Sequence, residues 1–309
     1  MEAHHAGLLG PTTVIVPRAG VRALRATRAE LARLGLPLGV EVAEPRERMP
    51  SRLGAVGDAF SGRVQVRWLT SWRPVVIVDD GLATIRLLEL LAAGPGRPLV
   101  RARATPGVAR RALGLAAGLR LHAGKRRVTV FTALPVEERL AEAVRAAGFD
   151  VISHDFAWLR AQPLDRPGPP QRTVVLGTSL VRNGLVHRDR YLGWITALAA
   201  DEPVAYFPHR REDPTDLALL RERPGITVHE PGMPAELSLR GLGAEQRVLS
   251  LPSTAISSLR VLLSPRGVAV EPVEVPDDWW TSRAAPDLRD HLTLSGGPAS
   301  GLSGRAARP

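Results

Sequence analysis

Cysteine is absent from the 309-residue chain, so a disulfide framework, a thiol nucleophile and a thiolate metal site are excluded, and a reducing cytoplasm is compatible. Lysine is nearly absent: Lys125 stands alone among 41 basic residues, the rest arginine. No apolar run approaches the roughly 20 residues of a membrane span. The first ten residues lack the basic start, apolar core and small-residue cleavage site of a secretory signal, which leads to a cytoplasmic expectation. No Gly-x-Gly-x-x-Gly or Walker spacing follows a strand, so a dinucleotide cofactor is not supported, and no His, Asp and Glu set has zinc spacing.

What is present suits a soluble globular protein. Hydrophobic residues make up 44% and charged residues 23% of a 33.2 kDa chain, enough for two domains of about 150 residues, each with its own core. The 41 basic and 31 acidic residues leave a formal charge of +10. The densest basic cluster, Lys125, Arg126 and Arg127, precedes a strand, and the remainder reads as dispersed along the chain. That pattern predicts a solvated surface rather than a nucleic-acid partner.

Short β-branched runs alternate with helical patterns, the signature of βαβ units around parallel sheets, so the fold class is α/β. Strands are expected over residues 13–16, 40–43, 64–68, 75–79, 99–102, 128–132 and 151–154. Helices are expected through Val21, Leu24, Leu31 and Leu34, over 82–91 and over 134–147. Residues 1–11, with His4 and His5, read as a loop and mobile terminus. Pro163, Pro167, Pro169 and Pro170 mark an interdomain linker over 162–171. A second series then alternates strands over 173–176, 204–207, 227–229, 247–250, 259–263 and 268–270 with helices over 188–199, 215–221 and 234–239. The Trp279-Trp280 pair is expected to pack back on the body. Two Rossmann-like domains follow, residues 1–165 and 171–294, with a Gly-, Ser- and Ala-rich tail over 295–309 expected to be disordered. Ligands of such sheets bind beyond the carboxyl ends of the strands.

Three clusters lie at such strand ends. Asp79, Asp80 and Gly81 follow an apolar strand and precede a helix. Adjacent carboxylates there suit a base, since a like charge raises one pKa; equally, Asp80 can cap the helix with Gly81 easing the turn, or the pair can hold Mg²⁺. In Tyr206-Phe207-Pro208-His209-Arg210-Arg211 the arginines suit phosphate oxygens and the imidazole suits a leaving phosphate, or all three are ordinary loop residues. Ser253 and Thr254, at a strand-to-helix turn, form a phosphate cradle with the helix-start N–H groups, or Ser253 is a plain N-cap. Weaker candidates are the turn Gly177-Thr178-Ser179, which opens the second domain, and Glu236, able to accept from ribose hydroxyls or simply a first-turn glutamate.

The acidic pair with Gly81, then the Pro208-His209 element, then Ser253-Thr254, in that order and over most of the chain, resembles the bacterial sialyltransferases of glycosyltransferase family 52 and the related polysialyltransferases. The resemblance implies a GT-B fold, two facing Rossmann-like domains, with Asp80, or less so Asp79, as the general base for an acceptor hydroxyl. It implies that His209 protonates or stabilises the departing CMP phosphate, that Ser253 and Thr254 bind it, and that transfer from CMP-sialic acid is inverting and metal-independent, without a cofactor. Nucleotide sugar and a glycan or glycolipid acceptor would be the partners, with peripheral association at the inner face of a membrane. Two departures stand out. Arg210 follows His209 where proline is expected, and an opening strand with a small-residue turn is missing before residue 11. A transferase with another nucleotide sugar, or a noncatalytic sugar-nucleotide binder, fits the same layout.

Overall fold

A computed structural model describes residues 1–16, 23–44, 54–79, 81–101, 106–286 and 289. The chain divides into two compact units at Pro163 and Leu164. No described helix is long and apolar enough to cross a membrane.

The first unit runs α1 (Glu2–His5), β1 (Thr13–Ile15), α2 (Ala23–Leu34), β2 (Val40–Val42), β3 (Ala55–Val56), α3 (Gly62–Leu69), β4 (Val75–Val78), α4 (Leu82–Ala92), α5 (Val108–Ala123), β5 (Val128–Thr132), α6 (Glu138–Ala146), β6 (Asp150–Ser153) and α7 (Ala157–Arg160). Strands β1 and β2 pair in parallel as a small sheet, and β3-β4-β5-β6 form a second, all-parallel one. The run Val75-Val76-Ile77 is apolar without alternation because both faces are covered. Val75, Ile77, Val128 and Val130 face the helices, whereas Val76 and Phe131 pack on Ala3, Leu8 and Leu9.

The N-terminal stretch is therefore not a mobile loop. Ala3 is buried, and the Glu2 carboxylate accepts the backbone N–H groups of Trp158 and Leu159, both at 3.0 Å, at the start of α7. His4 bonds the Thr13 hydroxyl and the Leu38 carbonyl.

Two expected strands are helices or irregular. Residues 64–68 belong to α3: the Val-Gln-Val-Arg-Trp alternation mimics a strand, but Val64 and Trp68, four apart, share the buried face. Residues 99–101 run without regular structure along α5, where the Leu99 N–H donates to the Gly114 carbonyl at 3.0 Å. Ala102 and Val21 lie outside the described residues, as does the tail.

The second unit runs β7 (Thr173–Leu176), α8 (Arg188–Asp201), β8 (Val204–Phe207), α9 (Pro214–Arg221), β9 (Ile226–Val228), α10 (Ala235–Leu239), β10 (Arg247–Ser250), α11 (Thr254–Leu263) and β11 (Ala269–Pro272). Its five strands are all parallel in the order β11-β10-β7-β8-β9. The chain winds one way from β7 through β9 and then returns to the other side of β7, so a topological switch point falls between β7 and β10. The expected strand over 259–263 is the last half of α11, since a short, mostly apolar run does not by itself distinguish strand from helix. The Pro-rich stretch packs on this unit, its Pro169 and Gln171 carbonyls accepting from the Gln246 amide at 2.7 and 2.9 Å. Trp280 bridges to Val186 and is buried.

Two helical glycines have opposite roles. A Cβ on Gly114 in α5 would sit 2.9 Å from the Leu99 carbonyl oxygen, whereas one on Gly193 in α8 would meet open space. Gly114→Ala is expected to destabilise by about 1–3 kcal/mol through overpacking against backbone. Gly193→Ala should instead stabilise by about 0.5–1 kcal/mol through helix propensity. Chemical denaturation of both variants measures the pair.

Candidate functional site

The register of the second sheet sets Leu176 level with Ser250 on one side and with Phe207 on the other. The segments leaving β8, β7 and β10 therefore emerge in one row: Pro208-His209, Gly177-Thr178, and Leu251 to Thr254. With strands about 4.8 Å apart, the outer two are separated by about 10 Å across β7. This is the edge where open parallel sheets bind ligands.

The centre of the row is built around a residue that sequence reasoning missed. Glu212 turns inward, and its Oε1 accepts from the Thr178 N–H at 2.6 Å and from the Tyr206 hydroxyl at 2.8 Å. The Tyr206 proton being directed to Glu212, the Tyr191 hydroxyl donates to the Tyr206 oxygen at 3.1 Å. Gly177 is obligatory beside this carboxylate: a Cβ there would overlap both Glu212 oxygens and the backbone nitrogen of His209. Oε2 is buried with no hydrogen-bond partner among the described residues. Burial pushes the Glu212 carboxyl up to about 7, against the pull of the Tyr206 and Thr178 hydrogen bonds. The one signal in the sequence was an acid closing the otherwise basic turn His209-Arg210-Arg211.

His209 is half-buried, and its Nδ1 accepts the Arg211 N–H at 3.1 Å. Nδ1 is thus unprotonated, and in the neutral ring the proton is on Nε2. Burial, then the charges of Arg210 and Arg211, hold the imidazole below its ordinary pKa. The neutral Nε2–H form is the one present at pH 7. Arg210 is exposed at the tip of the turn. A second histidine lies alongside: His229, after β9, stacks on Phe207 with ring centroids 4.1 Å apart, and its buried Nε2 has no partner among the described residues.

On the other side of β7, Ser253 occupies the N-cap of α11 with extended backbone but makes no side-chain capping bond, so the plain-cap role is not taken up. Its hydroxyl and the first N–H groups of α11, beginning at Thr254, stay available at a helix start carrying partial positive charge. Glu236 is engaged elsewhere: its Oε1 accepts the Ser258 hydroxyl, tying α10 to α11.

In the first unit, Asp79 leaves β4 and is held by β5. The Thr132 hydroxyl donates to its Oδ1, and the Ala133 N–H donates to Oδ2 at 2.6 Å. His154 Nε2 is 3.8 Å from Oδ2, but burial lowers that imidazole to about 4, so at pH 7 it is a neutral neighbour and not an ionic partner. Gly81 is itself the N-cap of α4, at φ 62°, which puts Asp80 one residue ahead of the cap position. Asp80 lies outside the described residues. No three His, Asp or Glu side chains gather as a metal-binding group among the described residues.

No protein-family model and no curated protein matches the chain. One solved structure that does is a Medicago truncatula protein, UGT71G1, complexed with UDP-glucose: it is 10% identical, over 95% of this chain and 88% of that one, with a TM-score of 0.39. Overlap this loose assigns neither fold detail nor ligand.

The raised Glu212 pKa has a definite sign in stability. Folded and unfolded chains are both protonated there below about 4.5; between about 4.5 and 7 the unfolded state releases a proton that the folded state keeps, so stability falls as pH rises through this window. The depressed His209, His229 and His154 act oppositely, lowering stability as pH falls. Glu212→Gln retains the Oε1 acceptor and removes only the first slope. Denaturation of wild type and variant from pH 4 to 8 should show their stability difference shifting in the variant's favour as pH rises, and reaching a plateau above about 7.

Proposed function

We propose that this chain is a glycosyltransferase whose second unit holds an anionic, nucleotide-activated sugar at the carboxyl edge of its sheet. The observation that carries the reading is the fixed tautomer of His209. An imidazole whose Nδ1 accepts the Arg211 N–H presents Nε2–H as a donor, on the same edge as the Gly177-Thr178 turn and the uncapped start of α11. Donors of this kind stabilise charge that develops on a departing phosphate.

In this reading His209 works as a neutral hydrogen-bond donor rather than as a cationic acid, because its surroundings disfavour the imidazolium. Arg210, exposed on the turn, adds positive charge, and the Ser253 and Thr254 hydroxyls with the first N–H groups of α11 bind the phosphate oxygens. The acceptor hydroxyl loses its proton to a carboxylate of the first unit. Asp79 is already held by the Thr132 hydroxyl and the Ala133 N–H, and Asp80 is assigned the base, as the resemblance implies. The resemblance to family 52 supports CMP-sialic acid as donor and a glycan as acceptor, with inversion and without a metal ion.

A thermal-shift panel tests the donor: CMP or CMP-sialic acid at 100 times its Kd should stabilise by about 2.7 kcal/mol, and a response to UDP or GDP sugars alone would replace CMP in the assignment. In transfer assays His209→Ala should lower the rate by about 10²–10³ and weaken CMP binding. Asp80→Asn should abolish transfer with CMP binding retained, EDTA should have no effect, and wild-type turnover in either variant removes that residue from its role.

A further inference from the structure

The positive charge is segregated rather than dispersed, and the sign of the segregation lies in what is missing. Residues 59–78 and 90–136 contain no aspartate or glutamate, yet together they carry 12 of the 41 basic residues. They hold more positive charge than the net +10 of the whole chain, so everything else is close to neutral. The fold brings the two stretches together, because the first supplies α3 and the second α5, and these helices pack on each other.

Their inner faces are closed. Val64, Gln65 and Trp68 of α3, and Gly114, Ala117, Gly118 and Leu121 of α5, are buried. Their outer faces are apolar where a surface helix is normally polar. Val66 is 52% exposed, Leu119 51% and Trp72, just beyond α3, 57%; Leu69 and Leu115 are also exposed. Leu115 and Leu119 lie one turn apart on α5, on one side.

The basic groups around Trp72 are held without a counter-charge. The Arg120 guanidinium lies 3.5 Å above the Trp72 ring centroid and donates to the Ser71 carbonyl, and Arg127 donates to the Trp72 carbonyl at 2.9 Å. Neither has a carboxylate within ion-pair distance among the described residues, and the Arg120 Nε is buried and unpartnered. An exception in these stretches is Arg101, which pairs with Asp58 at 2.9 Å. Burial and the charge of Arg127 depress the Arg120 pKa, the direction expected of cations gathered without an anion.

We propose that the outer face of α3 and α5, with Trp72 and the Lys125-Arg126-Arg127 turn, docks the protein onto a membrane surface bearing anionic lipid. Arginine and lysine meet the phosphate headgroups, the Trp72 indole sits at headgroup depth, and the exposed Val and Leu side chains enter the acyl boundary. The aliphatic side chains decide against a nucleic acid, whose backbone offers phosphates but no apolar phase for Leu115 and Leu119. This inference does not rest on the proposed activity.

The test is co-sedimentation of the full chain with phosphatidylcholine vesicles, either pure or containing one-third phosphatidylglycerol, at 0.1 and 0.5 M salt. Binding is expected to the anionic vesicles only and should fall at least tenfold at high salt. The pair Arg126→Gln and Arg127→Gln should weaken binding by about fivefold per residue. Leu115→Gln with Leu119→Gln should weaken it at least fivefold with circular dichroism and Tm unchanged, since both side chains are exposed. A 20-base-pair duplex and a single-stranded oligonucleotide serve as competitors. Vesicle binding indifferent to the leucine pair, absence of binding to anionic vesicles, or tighter binding to an oligonucleotide than to vesicles would each overturn the proposal.

Discussion

The second unit depends on one buried carboxylate. Glu212 binds the Thr178 amide after β7 and the Tyr206 hydroxyl of β8 with the same oxygen, so two strand ends and the intervening turn share one fixed point. A charged or hydrogen-bonded group in a low-dielectric position is strong when its partners are present and destabilising when they are not. That explains the glycine at 177, because no side chain can stand between the turn and the carboxylate it serves. It also explains how the turn after β8 holds its shape: the Glu212 N–H donates to the His209 carbonyl at 3.0 Å while the Arg211 N–H holds His209 Nδ1. The orientation of the imidazole is thus a consequence of where Glu212 is anchored.

The two carboxylates that matter structurally have opposite surroundings. Asp79 is met by a hydroxyl and an amide, one for each oxygen. Glu212 has the Thr178 and Tyr206 donors on one oxygen, the other is buried with no hydrogen-bond partner among the described residues, and burial prevails, so the proton is retained near neutrality. The same residue class therefore appears as a hydrogen-bonded anchor at the end of β4 and as a titratable clasp beside β7.

Much of the α/β layout was legible because the strands at the centre of each sheet are continuous apolar runs, Val75-Val76-Ile77-Val78 and Thr173-Val174-Val175-Leu176, flanked by helical patterns. Residues 64–68 and 259–263 were misread for one reason: over five residues, periods of 2 and 3.6 are barely separable when the side chains are Val, Leu and Trp. Of the site, His209, Ser253 and Thr254 were visible because each lies within a few residues of the carboxyl end of a strand. Glu212 was not, since nothing in a basic surface turn says that its acid folds inward; the receiving space is made by Gly177, 35 positions earlier in the chain. The capping alternative for Asp80 turned on one residue of register at a helix start, which sequence does not resolve, whereas Ser253 holds the cap position and only its hydroxyl makes no capping bond.

The charge distribution was present in the sequence and was overlooked because the search was for dense basic clusters. A stretch of 47 residues without a single acid reads as ordinary when its basic residues are widely spaced, since local density is low at every point. Packing changes the count. Two helices from separate stretches share one surface, and a field sums over neighbours in space rather than in sequence. Elsewhere several arginines are matched: Arg145 with Glu138, Arg188 with Asp216 and Arg247 with Glu202. The acid-free face lacks this matching at Trp72 although the remainder of the chain supplies more acidic than basic residues. What sets this region apart is the absence of any acid over two long stretches that pack together, not the richness in arginine that the whole chain shares.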